Sequence, residues 1–125
     1  MKIALTSIPV ADPVEAHKFY TETLGFESKE FDRDAQLAIV ASPEDRDGTA
    51  LLLEPRGESF AKVFQQKVHA AGLPIIIFGV DDLPREVENL EKKGVRFRSD
   101  LTKPEWGLDN IFEDTCGNYI MLQEN

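Results

Sequence analysis

The chain has 125 residues, 42% of them hydrophobic and 30% charged, which is the size and composition of one globular domain with a substantial core. Its net charge of −9 and its scattered Lys and Arg residues argue against nucleic acid as a partner, because phosphate binding needs clustered positive charge. No apolar run approaches the ~20 residues of a membrane span, a single Cys excludes an internal disulfide, and the opening apolar segment is too short for a signal peptide, so we expect a cytoplasmic protein without membrane contact.

The first part of the chain predicts a strand, a helix and three more strands. Residues 2–10 alternate loosely, as a strand does, and Asp12 and Pro13 suit the cap and first turn of a helix, with Glu15 completing a capping box. Apolar residues then recur at helical spacing as far as Gly25, where the helix is expected to end. The three further strands are predicted over residues 26–31, 36–42 and 49–54.

Residues 55–72 are interpreted as a linker between two halves of the chain. The linker begins with a loop composition rich in Pro, Gly and charged residues. Residues 60–67 could form either a short helix or a covering arm.

The second part of the chain follows the same plan. Residues 74–80 are so apolar that they predict a strand buried on both faces. A second helix is expected from Asp82 to Gly94, with an inner face of Leu83, Val87 and Leu90. A short strand over 95–98, a loop over 99–106 and a closing hairpin complete the chain, and Gly117 is free to take a positive φ in the hairpin turn.

The two halves form an internal repeat. Four landmarks recur at a separation of 69 or 70 residues: Val10 and Val80, Gly25 and Gly94, Gly48 and Gly117, and Leu53 and Leu122. A constant separation indicates a duplicated unit of strand, helix and three strands. We therefore predict one domain over residues 1–125, with module one at about 1–54 and module two at about 73–125.

Residues 10–26, 80–95 and 106–118 carry a resemblance to a known superfamily. The first stretch ends in a Leu-Gly-Phe helix exit at 24–26, and the last contains an Asp-x-x-Gly-Asn turn at 114–118. With the repeated βαβββ unit, the chain resembles the vicinal oxygen chelate superfamily of glyoxalase I, bleomycin-resistance proteins, fosfomycin-resistance proteins and extradiol dioxygenases. The resemblance implies an α+β fold in which two tandem βαβββ modules form curled mixed sheets around a cleft.

Metal-dependent members of that superfamily hold a divalent ion with side chains from four strands. By register against the family pattern, these positions fall at Leu5, Leu52, Ile75 and Met121, none of which is a metal ligand. A one-residue slip also fails to make a site. We therefore expect no metal and no other cofactor.

Strand alternation predicts which side chains face the cleft. The residues on that side are mostly apolar, which suits a small apolar or aromatic molecule and leaves a bare cation without compensation for its lost hydration. Trp106 could stack on the ligand or cap the core. The predicted ligand-binding residues are Leu5, Ser7, Leu52, Glu54, Ile75, Ile77, Trp106, Tyr119, Met121 and Gln123.

A few polar residues have two interpretations. Glu54 could be a partly buried general base or a solvated residue at the rim, and it is the one weak candidate for a catalytic role. His17 and His69 are interpreted as surface or boundary residues, and they could form a metal site only if the linker folds across the cleft. Cys116 lies beside acidic residues, which disfavours a nucleophilic thiolate.

The sequence thus predicts a metal-free small-molecule-binding protein that forms a homodimer. One alternative is a metal-dependent enzyme of the same superfamily, a glyoxalase I-like lyase, an isomerase or an extradiol dioxygenase, with displaced ligands such as Glu54, His69, Glu113 or Gln123. The other alternative is a structural or interaction module with a filled core.

Overall fold

The fold is α+β, and its two sheets belong to two βαβββ modules in tandem, as predicted. The computed structural model describes residues 1–98 and 108–125. The chain divides into two compact units, Met1–Gln65 and Gln66–Asn125, and each unit has its own sheet.

The first unit contains a four-stranded sheet and the predicted first helix. Its elements are β1 (Leu5–Val10), α1 (Pro13–Lys18), a π-helical turn (Phe19–Thr23) that continues α1, β2 (Glu27–Asp32), β3 (Leu37–Ala41) and β4 (Ala50–Pro55). The strand order is β1-β4-β3-β2, with β1 parallel to β4 and the other pairs antiparallel.

The helical segment made of α1 and the π-helical turn begins at the predicted cap and ends at the predicted glycine. The Asp12 carboxylate accepts a hydrogen bond from the backbone N–H of Val14 at 2.9 Å, and Pro13 occupies the first turn. Gly25 takes a φ of +85°, which other residues adopt only with strain, and so ends the helical segment. Helix α1 packs against β3 and β4.

Alternation along β1 and β4 separates a buried face from an open face. Ile8 and Leu53 pair in the sheet and are buried in the core, as are Val10 and Leu51. Leu5 points to the other side and is 48% exposed. The predicted alternation is seen from Ile8 onward in β1 and in β4, whereas Thr6, expected on the buried side, is exposed.

The second unit contains a three-stranded sheet. Its elements are β5 (Pro74–Val80), α3 (Leu83–Lys92), β6 (Asp109–Glu113) and β7 (Tyr119–Glu124), and helix α2 (Phe60–Ala70) runs from the first unit into the second. Of the two forms open to residues 60–67, the chain therefore takes the helix. The strand order is β5-β7-β6, with β5 parallel to β7.

The same strand register recurs in both sheets. Ser7 pairs with Leu52 between β1 and β4, and Ile77 pairs with Met121 between β5 and β7. Because these pairs are separated by 70 and 69 residues, the repeat seen in the sequence is also a repeat of hydrogen-bonding partners. Helix α3 likewise repeats α1, with the Asp82 carboxylate accepting from the Arg85 backbone N–H and Gly94 at a φ of +93°.

Two predictions for the second unit are wrong. Strand β5 is not buried on both faces, since Ile77 is 53% exposed, because α3 packs on one side of this sheet only. The strand predicted over 95–98 is reduced to a single bridge between Phe97 and Phe112, with one further hydrogen bond from the Arg98 backbone N–H to the Ile111 carbonyl at 2.7 Å.

The turn between β6 and β7 holds a β-branched residue in a strained conformation. Thr115 has a φ of +65°, in the left-handed region that disfavours branching at Cβ. We expect Thr115→Asn to raise the free energy of unfolding by about 0.5–1 kcal/mol, because Asn tolerates this region. Urea denaturation measures the change. Thr115→Val keeps the branch and should bring no gain, so an equal gain in both variants would refute strain as the cause.

Candidate functional site

The first unit presents an open sheet face of mainly apolar side chains. We call it the first open face; its residues are Leu5, Ser7, Leu37, Ile39, Ala50, Leu52 and Glu54. The register sets Ser7 beside Leu52 and Leu52 beside Ile39, so β1, β4 and β3 contribute adjacent positions. Leu37 and Ile39 were missed in the sequence, although the burial of Ala38 and Val40 on β3 is the alternation that would have found them.

Glu54 lies at the polar end of this face. It is exposed and sits opposite Pro9 in the register, one residue before β4 ends. This is the rim position, where a carboxylate stays in contact with water. Ser7 is exposed as well, so both polar residues predicted for this part of the site are accessible to solvent.

The second unit presents an equivalent open face. We call it the second open face; its residues are Ile75, Ile77, Gly79, Asp109, Ile111, Glu113, Tyr119, Met121 and Gln123. Ile77 and Ile111 flank Met121 in the register, which makes an apolar row across three strands. Ile75 lies where the register shifts between Pro74 and Ile76, so it has no partner of its own on β7. The sequence analysis also missed Ile111, although it alternates with the buried residues Asn110 and Phe112 on β6.

Four side chains of the second unit form a polar cluster at the edge of this apolar row. The imidazole of His69, from α2, stacks on the Tyr119 ring at 4.3 Å between centroids and 5° between planes. The guanidinium carbon of Arg98 lies 4.3 Å from the centroid of the same ring. His69 Nε2 and Glu113 Oε1 are 2.6 Å apart, and Glu113 is the register neighbour of Tyr119.

The sequence did not predict this cluster. Tyr119 is the one predicted ligand-binding residue in the cluster. His69 was interpreted as a surface residue or a displaced metal ligand, Glu113 as a displaced metal ligand, and Arg98 was not considered. The signal that was missing is the position of α2, which delivers His69 to the sheet from 44 residues away along the chain. The amino-acid sequence of such a helix, which mixes polar and apolar residues, does not predict which side chains its last turn contacts.

The four positions equivalent to the family's metal ligands are apolar side chains. Leu5, Leu52, Ile75 and Met121 all lie on β1, β4, β5 and β7, the strands expected to carry them. Within residues 1–98 and 108–125, three or more His, Cys, Asp or Glu side chains nowhere form a group that could hold a metal ion. Trp106, the remaining predicted ligand-binding residue, falls outside the described residues.

His17 has a separate environment on the helix-covered face of the first sheet. Its ring stacks on Phe31 at 4.0 Å, and its Nε2 lies 2.8 Å from Ser28 Oγ. The register shift between Ser28 and Glu30 brings Ser28 and Phe31 to the same side of β2. Partial burial lowers the pKa of His17 from its usual value of 6.5, and the nearby Glu22 carboxylate opposes this in part.

This lowered pKa makes a small contribution to stability that depends on pH. Because the folded chain binds the proton on His17 less readily than the unfolded chain, the contribution is present above pH 6.5 and is lost as the pH falls below it. We expect the unfolding free energy of the wild type, measured relative to His17→Gln, to decrease between pH 7 and pH 5. A difference that stays constant across this range would contradict the assignment.

The amino-acid sequence matches the model of the Glyoxalase/Bleomycin resistance protein/Dioxygenase superfamily over residues 2–122. The chain belongs to this superfamily. It is 45% identical over 127 residues to the uncharacterized protein YurT of Bacillus subtilis (strain 168), with 98% of each chain covered.

Solved structures show the same fold. TnmS3, an antibiotic binding protein from Streptomyces sp. CB03234, has a TM-score of 0.74 at 24% identity, covering 99% of this chain and 95% of its own. The bleomycin-binding protein of Streptomyces verticillus, complexed with copper(II)-bleomycin, has a TM-score of 0.69 at 19% identity, covering 100% of this chain and 97% of its own. Among the described residues, no helix is long and apolar enough to cross a bilayer.

Proposed function

We propose that this superfamily member binds a small apolar or aromatic molecule on its open sheet faces without a metal ion. The observation that carries the proposal is the pair of apolar rows centred on Leu52 and Met121, on the sheet faces opposite those that α1 and α3 cover. Exposed apolar surface of this kind, with a few polar groups beside it, is typical of small-molecule sites. TnmS3 and the Streptomyces verticillus protein are described as antibiotic binding and bleomycin-binding, which supports a binding role for this fold.

The absence of a metal from the proposal rests on the chemistry of four positions. Leu5, Leu52, Ile75 and Met121 offer no oxygen, nitrogen or thiolate to a cation. A divalent ion placed there would lose its hydration shell without replacement ligands, at a cost far larger than typical binding energies.

The experiment that tests this proposal combines a binding titration with metal analysis. Purified protein is titrated with 2-naphthamide, an uncharged aromatic probe, and binding is followed by the fluorescence of the probe. Saturable binding is expected, with no stoichiometric Ni, Zn, Mn or Fe remaining after dialysis. Retained stoichiometric metal would overturn the metal-free proposal, and a lack of saturable binding would favour the structural module.

A second candidate function is favoured by one specific observation, the 2.6 Å contact between His69 and Glu113. A carboxylate that holds an imidazole in this way can orient it as a general base, or the two can act as neighbouring metal ligands. This reading makes the protein an enzyme of the superfamily, with two of the displaced residues considered in the sequence. Metal retained by the wild type and lost in His69→Ala would favour it over simple binding.

We also propose that the protein is a homodimer that resides in the cytoplasm. Helix α2 exposes Phe60 by 87%, Phe64 by 55% and Val63 by 52%, at positions i, i+4 and i+3 of one helical face. Such an apolar stripe is costly in water, and a second copy of the chain would cover it. The cytoplasmic location rests on the composition and on the single Cys.

Sedimentation velocity tests the dimer. We expect a species of twice the 14.1 kDa chain mass, and we expect the double substitution Phe60→Lys and Phe64→Lys to shift it toward the monomer. The control is Asn89→Lys, which adds a positive charge at an exposed position on α3 and should leave the dimer intact. A wild-type protein that sediments as a monomer would refute the proposal.

A further inference from the structure

Arg98 is the member of the polar cluster whose charge no described carboxylate compensates. Its guanidinium rests against the Tyr119 ring, and within the described residues no carboxylate lies at ion-pair distance from it. His69, by contrast, is paired with Glu113 at 2.6 Å. The Arg98 guanidinium is therefore the positive group that an anionic ligand would meet in this cluster, in a chain whose net charge is −9.

The cluster also presents polar groups that no described residue engages. The Tyr119 hydroxyl and the Arg98 guanidinium make no hydrogen bond within the described residues, and the contact with Glu113 occupies only the Nε2 atom of His69. Stacking fixes the planes of the His69 and Tyr119 rings without using the hydrogen-bonding capacity of the Tyr119 hydroxyl. A guanidinium and a hydroxyl held beside each other in this way fit an anionic oxygen ligand.

The apolar row beside the cluster indicates what kind of molecule would carry the anionic group. Tyr119 and Met121 lie two residues apart on the same face of β7, which places their Cα atoms about 7 Å apart. Met121 lies between Ile77 and Ile111, so a flat hydrocarbon body can lie there. An aromatic body that lies on this row can therefore direct an acidic substituent toward the neighbouring Tyr119 and the guanidinium that rests against it.

We propose that the second open face binds an aromatic carboxylate, with Arg98 as the residue that selects the acidic group. The inference rests on the proposed binding function and deepens it, since it names the chemical class of the ligand. The aromatic body packs on Met121 and its neighbours, while the carboxylate accepts hydrogen bonds from the Arg98 guanidinium. The planar guanidinium matches the planar carboxylate in a paired, two-point contact.

Two matched probes test the inference at pH 7. 2-Naphthoate and 2-naphthamide share a ring system and differ in charge, and their dissociation constants are measured by isothermal titration calorimetry. We expect wild-type protein to bind 2-naphthoate about tenfold more tightly than 2-naphthamide, as a charge-assisted contact implies. Arg98→Gln should remove this preference while leaving the affinity for 2-naphthamide within about twofold.

The controls separate charge selection from general effects. Arg96→Gln removes a positive charge from an exposed position outside the cluster and should retain the preference. Arg98→Lys keeps the charge without the planar fork and should retain part of it. Thermal unfolding of each variant shows whether the fold is preserved, and the 2-naphthamide affinity serves as an internal check on the apolar row.

The outcomes distinguish this inference from the function on which it rests. If both probes bind equally, or if Arg98→Gln keeps the preference, the acidic subsite is wrong and the apolar binding function stands. If neither probe binds, both proposals fall. Tighter binding of 2-naphthyl phosphate than of 2-naphthoate would also overturn the assignment, because the proposed two-point contact is with a planar carboxylate.

Discussion

Met121→Glu is expected to weaken the binding of 2-naphthamide by at least about tenfold. Met121 is half-buried on β7 between Ile77 and Ile111, at the centre of the second open face. A carboxylate at this position would have to lose water whenever the apolar probe binds, and the cost of removing a charge from water exceeds the gain from burying a few methylene groups. Fluorescence titration measures the change in dissociation constant.

The matched control for this substitution is Asn89→Glu, which adds the same charge at an exposed position on α3. We expect the control to bind 2-naphthamide as the wild type does. Circular dichroism and thermal unfolding of Met121→Glu show whether its sheet is intact, since a misfolded variant would lose binding trivially. An intact Met121→Glu protein that binds the probe normally would remove the second open face from the proposed site.

Asp114→Ala should lower the free energy of unfolding by about 3–5 kcal/mol. The Asp114 carboxylate is fully buried in the turn between β6 and β7. Its Oδ1 accepts from the backbone N–H groups of Cys116 at 2.8 Å and Asn118 at 3.0 Å, and its Oδ2 accepts from Asn118 Nδ2 at 2.8 Å. Removing the side chain takes away the acceptor of all three bonds inside a buried turn, which costs more than the bonds themselves contribute.

Asp114→Asn provides a graded comparison. An Asn side chain can place its carbonyl oxygen at the Oδ1 position and keep the two backbone contacts, whereas its amide group faces the amide of Asn118 as a second donor. We therefore expect a loss smaller than that of Asp114→Ala. Urea denaturation with a common m-value measures both variants, and a fully stable Asp114→Ala protein would show that the turn does not depend on this network.

The elements set by local chemistry were predictable from the sequence. Each helical segment has an aspartate cap at its start, Asp12 or Asp82, and a glycine at its end. These signals depend on only a few neighbouring residues. The buried and open faces of β4 and β7 followed from alternation, because one face of each strand packs on a helix.

What the sequence could not supply depends on contacts between distant segments. The stacking of His69 on Tyr119 depends on where α2 ends. Ser28 and Phe31 lie on the same side of β2 because of a register shift between β2 and β3. The exposure of Ile77 escaped prediction because an apolar run looks the same whether a helix or a ligand covers it.

The shared register of the two sheets has a consequence for how their roles differ. Tyr119 occupies the place in β7 that Ala50 occupies in β4, since each lies two residues before the paired positions Met121 and Leu52. The copy with Ala50 keeps a smooth hydrocarbon wall, whereas the copy with Tyr119 acquires a platform on which ionic groups can stack. The two copies of the repeated unit therefore differ at one equivalent position, where one has a methyl group and the other has an aromatic ring that contacts an imidazole and a guanidinium.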